Sequence, residues 1–139
     1  MLGEYGKELL SAFRVALDII NKDDNYQIEL DGFTKDEGFD GNRSCTEIAE
    51  EMKEQNLVAV VGSYRSQCAM RLHEVLGTES VRMPIVSYAS PSVALSDKTK
   101  FKYFFRVPPS NHYQSEIMKL VVRKFGFKEV RAWFYLTFF

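Results

Sequence analysis

The sequence predicts an α/β fold with a doubly wound parallel sheet, and three observations carry that expectation. Stretches with apolar residues at helical spacing alternate with short strand-like runs. One of those runs, Leu57 to Val61, is apolar at every position, as in a strand covered on both faces. Glycine or hydroxyl-rich turns follow the runs and lead into the next helix, the connection that parallel strands require. The chain has 139 residues, 45% of them apolar, enough for one domain with its own core.

Taken in order, Leu9, Phe13, Ala16, Leu17 and Ile20 recur at helical spacing, and Asn21, Asp23, Asp24 and Asn25 then end the helix, which gives a helix over about residues 5 to 21. Tyr26 to Leu30 alternates apolar with polar and reads as a strand, followed by a polar, glycine-bearing surface loop from Asp31 to Ser44. Ser44 or Thr46 can cap a second helix carrying Ile48, Ala49 and Met52, before the apolar strand Leu57 to Val61. Glu47, Glu50, Glu51 and Glu54 form that helix's solvated face. After the turn at Gly62 and Ser63, a third helix carries Met70, Leu72, Val75 and Leu76, and the strand Ile85 to Tyr88 follows. A long connection, Ala89 to Asn111, holds three of the four prolines. It leads to a fourth helix with Ile117, Leu120 and Val121 and a last strand around Val130 to Leu136.

Charge excludes some functions. Eighteen basic and nineteen acidic residues leave a net charge of -1, with no field to gather nucleic acid or an anionic membrane. The longest apolar runs are far short of the roughly 20 residues that span a bilayer. Met1 to Lys7 has no signal-peptide pattern, and read alone would leave the chain in the cytosol. The glycosylation sequon Asn42-Arg43-Ser44 and the adjacent Cys45 point instead to a secreted protein, although two cysteines suit reduced core thiols equally well.

In doubly wound sheets ligands bind beyond the carboxyl ends of the strands, which directs attention to the loops after Val61 and Tyr88. In Gly62-Ser63-Tyr64-Arg65-Ser66-Gln67-Cys68 the start of a helix would present N–H groups to a carboxylate or phosphate, with Ser66 beside them; the plainer reading is that Ser63 or Ser66 caps the helix. The small polar loop Ala89-Ser90-Pro91-Ser92 offers hydroxyls and carbonyls to an ammonium group, or is simply a proline turn. No phosphate-loop or dinucleotide glycine motif is present, and no cofactor is expected. His73 and His112 have no partner at metal-ligand spacing and are read as surface or half-buried helix residues, with no metal site and no catalytic residue expected.

Pro84-Ile85-Val86-Ser87-Tyr88-Ala89-Ser90, followed by the long segment Ala94-Leu95-Ser96-Asp97-Lys98-Thr99-Lys100-Phe101-Lys102-Tyr103-Phe104-Phe105-Arg106-Val107-Pro108-Pro109-Ser110, closely resembles the ligand-binding region of class C G-protein-coupled receptors, nearest the metabotropic glutamate receptors. Ala12 to Asn21 resembles the first helix of that module, and Val60-Val61-Gly62 its third strand and turn. The resemblance implies two α/β lobes of periplasmic-binding-protein type closing on an amino-acid-like ligand, at the extracellular face of the plasma membrane in a dimeric parent receptor, with no nucleic-acid or direct membrane contact by this segment. It matches Ser66 to the serine that binds the ligand carboxylate, and Ala89, Ser90 and Pro91 to the second ligand loop. Pro91 stands where glutamate-type receptors carry threonine, and Ala89 where they often carry serine, which removes one hydroxyl and one N–H contact. Arg65 beside Ser66 would favour an acidic ligand, or point to solvent. Two cysteines at similar places are bridged in GABA-type relatives, which implies a Cys45 to Cys68 disulfide in an oxidising compartment. Against the family pattern, residues 1 to 139 are expected to be a partial lobe one, lacking the first strand and the second lobe. A free-standing periplasmic-type binding protein and the ectodomain of a receptor guanylate cyclase are the alternatives within the fold. An α/β enzyme would need a base within reach of Ser66.

Overall fold

A computed structural model describes residues 4–37, 45–129 and 131. Its elements in chain order are helix α1 (Glu4–Asn21), α2 (Cys45–Lys53), strand β1 (Val60–Val61), α3 (Ser66–Leu76), β2 (Ile85–Ser87), a 3-10 turn at Val93–Ser96, β3 (Phe104–Arg106) and α4 (Asn111–Phe125). The strands form one parallel sheet in the order β1-β2-β3. This is the α/β architecture that the alternation of periodicities predicts, and it fits part of a periplasmic-binding-protein-like domain.

Register explains which residues are inside. Val60 pairs with Ile85, and Ile85 with Phe104, so all three point from adjacent strands to one face, where each is buried. Helices α2 and α3 cover that face with Ile48, Ala49, Cys68, Ala69, Leu72 and Leu76, and Met83 and Leu95 close the ends of the core. The next row, Val61, Val86 and Phe105, points the other way; Val61 is 59% exposed and Phe105 50%.

Two strand expectations are corrected. Of Leu57 to Val61 only the last two residues enter the ladder, Val58 is 80% exposed, and β1 buries one face rather than both. Its other face has no helix over it among the described residues. Tyr26 to Leu30 is not a strand. Alternation needs a neighbouring strand to satisfy its N–H and C=O groups, and the segment has none among the described residues. The Asn21 side chain takes that role at one point, donating from Nδ2 to the Leu30 carbonyl and accepting the Leu30 N–H at Oδ1, both at 2.8 Å. Gly32 then passes against Phe13 and Leu17 of α1, where a Cβ would come within 2.8 Å of both side chains.

The connection from Ala89 to Asn111 contains an unforeseen element. Phe104–Arg106 forms β3, held to β2 by the Ile85 N–H on the Tyr103 carbonyl and the Val107 N–H on the Ser87 carbonyl, each at 2.9 Å. The expected strand from Val130 to Leu136 lies outside the described residues. Helix α4 starts on Ser110, whose hydroxyl accepts the His112 N–H, and ends at Gly126 in the left-handed conformation (φ 64°). Its Ile117, Leu120 and Val121 are exposed.

His73 is buried, not at the surface or half-buried. Its Nε2 accepts the Tyr103 N–H at 3.3 Å, its ring meets Phe101 edge-on at 5.3 Å, and Gly77 lies against it. Only the neutral imidazole can accept that bond. Burial, and secondarily the Lys98 ammonium, lower its pKa from the ordinary 6.5, with Glu74 partly opposing. The folded state thus binds the proton less readily than the unfolded chain. The contribution of His73 is complete above pH 6.5 and is lost as pH falls below that value toward the lowered folded pKa. We expect the melting temperature to drop on acidification through this window, and the His73→Gln variant, which keeps an acceptor for Tyr103 but cannot titrate, to show a flatter profile. An identical profile in the variant would remove His73 as the cause.

Candidate functional site

The site forms where β1 and β2 end. The chain leaves β1 through Gly62, whose φ of 150° is one that side chains with a Cβ rarely adopt, and enters α3 at Ser66. From β2 it leaves through Tyr88, Ala89, Ser90, Pro91 and Ser92 to the 3-10 turn. Parallel pairing of β1 and β2 brings the two loops side by side, and serines lock them.

The Ser63 carbonyl is the meeting point. It accepts the Ser87 hydroxyl at 2.7 Å and the Ser90 hydroxyl at 3.0 Å, and both serines are fully buried. Ser87 Oγ in turn accepts the N–H groups of Ala89 and Ser90, at 3.2 and 2.9 Å, which turns the chain sharply after β2. The Ser92 N–H donates to Ser66 Oγ at 3.2 Å. Among the described residues no buried side-chain polar atom is left unsatisfied.

This geometry sorts the residues expected from sequence. Ser66 and Ser90 come together on adjoining loops, but their hydroxyls differ in role. Ser90 spends its proton on the Ser63 carbonyl, inside the protein. Ser66 is half-buried and accepts from Ser92, and its own proton has no partner among the described residues. Ser66 is the first residue of α3, and the N-cap is Arg65, whose side chain makes no capping bond; neither serine caps the helix as its N-cap residue. Ala89 and Pro91 are half-buried, and the Pro91 carbonyl accepts the Asn111 N–H at 2.9 Å. Arg65 turns toward Glu37, with Nε 3.9 Å from its carboxylate and a guanidinium nitrogen 3.4 Å from its carbonyl.

Glu37, Ser87 and Arg106 were not singled out from sequence as site residues, and Ser63 and Ser92 entered only as members of the two loops. Glu37 belongs to the polar loop before α2, and nothing local announces that its carboxylate returns to accept the Ser63 hydroxyl at 2.5 Å. The Tyr88 hydroxyl beside this corner is held above its ordinary pKa by burial, then by the negative charge of Glu37 and by Tyr64. Arg106 ends β3 and reaches across to the second loop.

Cys45 and Cys68 are joined by a disulfide, Cα to Cα 5.4 Å, which ties the first residue of α2 to the first turn of α3. Glu37 lies near both sulfurs, but neither is available to a metal while bonded to the other. Asn42, the sequon residue, lies outside the described residues. Neither His73 nor His112 is hydrogen-bonded to Ser66; His73 faces Tyr103, and exposed His112 meets the ring of Tyr113. No helix of the described residues is long and apolar enough to cross a membrane.

Comparison with known proteins agrees with this reading. Residues 8–132 match the family described as "Receptor family ligand binding region". Metabotropic glutamate receptor 6 of Oryctolagus cuniculus and that of Rattus norvegicus are each 37% identical to the chain over 76 residues, which is 55% of this chain and 8% of the relative. Probable metabotropic glutamate receptor mgl-1 of Caenorhabditis elegans is 35% identical over 83 residues, 60% of this chain and 8% of the relative. The chain thus spans about 8% of the length of the curated relatives it matches. Those relatives are receptors, and a match over residues 8–132 of a parallel α/β sheet with its serine loops at the strand ends means that this chain belongs to the receptor ligand-binding-region family, in the form carried by class C G-protein-coupled receptors.

Proposed function

We propose that residues 1 to 139 are part of lobe one of an extracellular receptor module that senses an amino-acid-like ligand, in a dimeric parent receptor whose signal passes through G proteins. One observation carries the reading. Ser66 Oγ accepts an N–H from the neighbouring loop, so its own proton can be donated to a carboxylate at the start of α3. There the unpaired N–H groups of the helix's first turn add their positive potential. A second lobe would close over this corner and exclude water, which strengthens each contact. Among the described residues neither histidine is hydrogen-bonded to Ser66, and the role proposed for it is binding, not nucleophilic attack. In the secretory pathway Asn42 would carry a glycan and Cys45 would pair with Cys68.

The ammonium side of the ligand is less well served. Pro91 offers no hydroxyl, and Ser90 turns its own inward. This favours a ligand held chiefly by its carboxylate. Titration of the protein with L-glutamate, glycine and γ-aminobutyrate, followed by the NMR shift of the Ser66 amide, tests the reading. Saturable binding of at least one is expected, and Ser66→Ala should weaken it about tenfold, the value of one hydrogen bond to a charged group. No saturable shift with any of the three, or equal affinity in the variant, would overturn it.

A further inference from the structure

The second loop is held from behind. Its three successive carbonyls are all engaged: Ser90 by Arg106 at 3.3 Å, Pro91 by the Asn111 N–H at 2.9 Å, and Ser92 by the same guanidinium nitrogen of Arg106 at 2.7 Å. The other terminal nitrogen of Arg106 donates to Ser96 Oγ at 2.5 Å, which anchors the fork to the 3-10 turn after the loop. Among the described residues Arg106 has no carboxylate partner, and its guanidinium donates to the neutral oxygens of Ser90, Ser92 and Ser96. A planar, rigid fork spanning two carbonyls and a hydroxyl fixes orientation in a way that a single point charge cannot.

What the fork fixes is the two peptide groups on either side of the one that carries the Ser92 N–H, because the Ser90 carbonyl precedes that peptide and the Ser92 carbonyl follows it. The Ser92 carbonyl accepts Arg106 at 2.7 Å and, more loosely, the Leu95 N–H at 3.3 Å, and the Ser92 N–H is on Ser66 Oγ. We propose that Arg106 is a positioning residue for ligand binding: by holding the Ser90 and Ser92 carbonyls it keeps the Ser92 N–H on Ser66 Oγ, which aims the Ser66 proton outward. Without Arg106 the loop can turn its carbonyls elsewhere, the N–H leaves Ser66, and the hydroxyl rotates freely instead of presenting its proton in one direction. The chain of contacts runs from β3 through the second loop to the first, and Arg106 acts without touching the ligand. The inference rests on the ligand role proposed for Ser66, but the loop ordering it invokes can be measured with no ligand present.

The test compares wild type with Arg106→Gln, Arg106→Lys and Ser96→Ala. Amide hydrogen exchange is read by NMR at Ser92, with the Gly62 N–H, which is bonded to the Val86 carbonyl, as the sheet's internal control. Arg106→Gln should raise exchange at Ser92 at least tenfold and leave Gly62 within twofold. Arg106→Lys should recover part of the protection through one bond, and Ser96→Ala, which only frees the fork's anchor, should give a smaller rise. Unchanged exchange at Ser92 overturns the proposal. So does a rise shared equally with Gly62, which would mark a purely structural arginine. In the second measurement, titration with L-glutamate, glycine and γ-aminobutyrate should show Arg106→Gln binding about tenfold more weakly, with Ser66→Ala adding little on top because both changes remove one contact. Additive losses would sever Arg106 from Ser66. Should wild type bind none of the three, the ligand reading of Ser66 fails, while the exchange data still decide whether Arg106 orders the loop.

Discussion

Phe104→Ala should cost about 3–5 kcal/mol of folding stability, measured by urea denaturation with Phe104→Leu as the control that keeps most of the apolar volume. Phe104 is 1% exposed and among the largest fully buried side chains. It stands at the end of the row Val60, Ile85, Phe104 within the core cluster, and its truncation leaves a cavity that the close-packed neighbours can fill only in part. Domains of this kind have about 5–15 kcal/mol in total, so the loss is a large share of the whole and at the low end of that range brings the variant close to its midpoint without denaturant. The leucine variant should lose less than half as much. The experiment discriminates between two readings of one segment. A phenylalanine in an open proline-bearing connection would cost under about 1 kcal/mol, within the range of a surface change.

Loss of the Cys45–Cys68 disulfide should cost about 3 kcal/mol. The bridge closes a loop with a sequence separation of 23, and a cross-link of that span removes conformational freedom from the unfolded chain without altering the native contacts. The double variant Cys45→Ala, Cys68→Ala is the cleaner probe, because Cys68 is buried and a serine there would bring a hydroxyl into the α2–α3 contact. Its denaturation midpoint should match that of the wild-type protein reduced with a dithiol, and both should lie well below the oxidised protein. Equal midpoints for oxidised and reduced protein would show that packing of Ile48 and Ala49 against α3 suffices to hold the two helices. Counting free thiols in protein made in the secretory pathway settles which state the cell produces.

The site was legible in part. Glycine and serines after an apolar strand, and a second small polar loop after the next, mark the two loops in the sequence. The resemblance singled out Ser66 and Ser90 within them. Which hydroxyl faces outward could not be read from either source. A serine's proton goes to whatever oxygen the fold brings within 3 Å. For Ser90 that is the carbonyl of Ser63, 27 residues earlier in the chain. Glu37 and Arg106 were missed for the same reason: their partners lie 26 and 14 residues away, and no local pattern encodes such a separation.

By itself the sequence determined what depends on nearest neighbours along the chain. The helices around Phe13, Leu72 and Ile117 follow from apolar spacing of three and four, and the end of the first from Asn21 and the turn residues after it, because helical hydrogen bonds close within four residues. Only the tertiary structure decided which extended segments are strands. Tyr26 to Leu30 alternates well and pairs with none of the described strands, whereas Phe104–Arg106, inside a proline-bearing connection, completes the sheet. A strand's hydrogen bonds belong to its neighbour, and the neighbour of β3 is β2, nineteen residues back along the chain at each pair: Ser87 with Arg106, Val86 with Phe105, and Ile85 with Phe104.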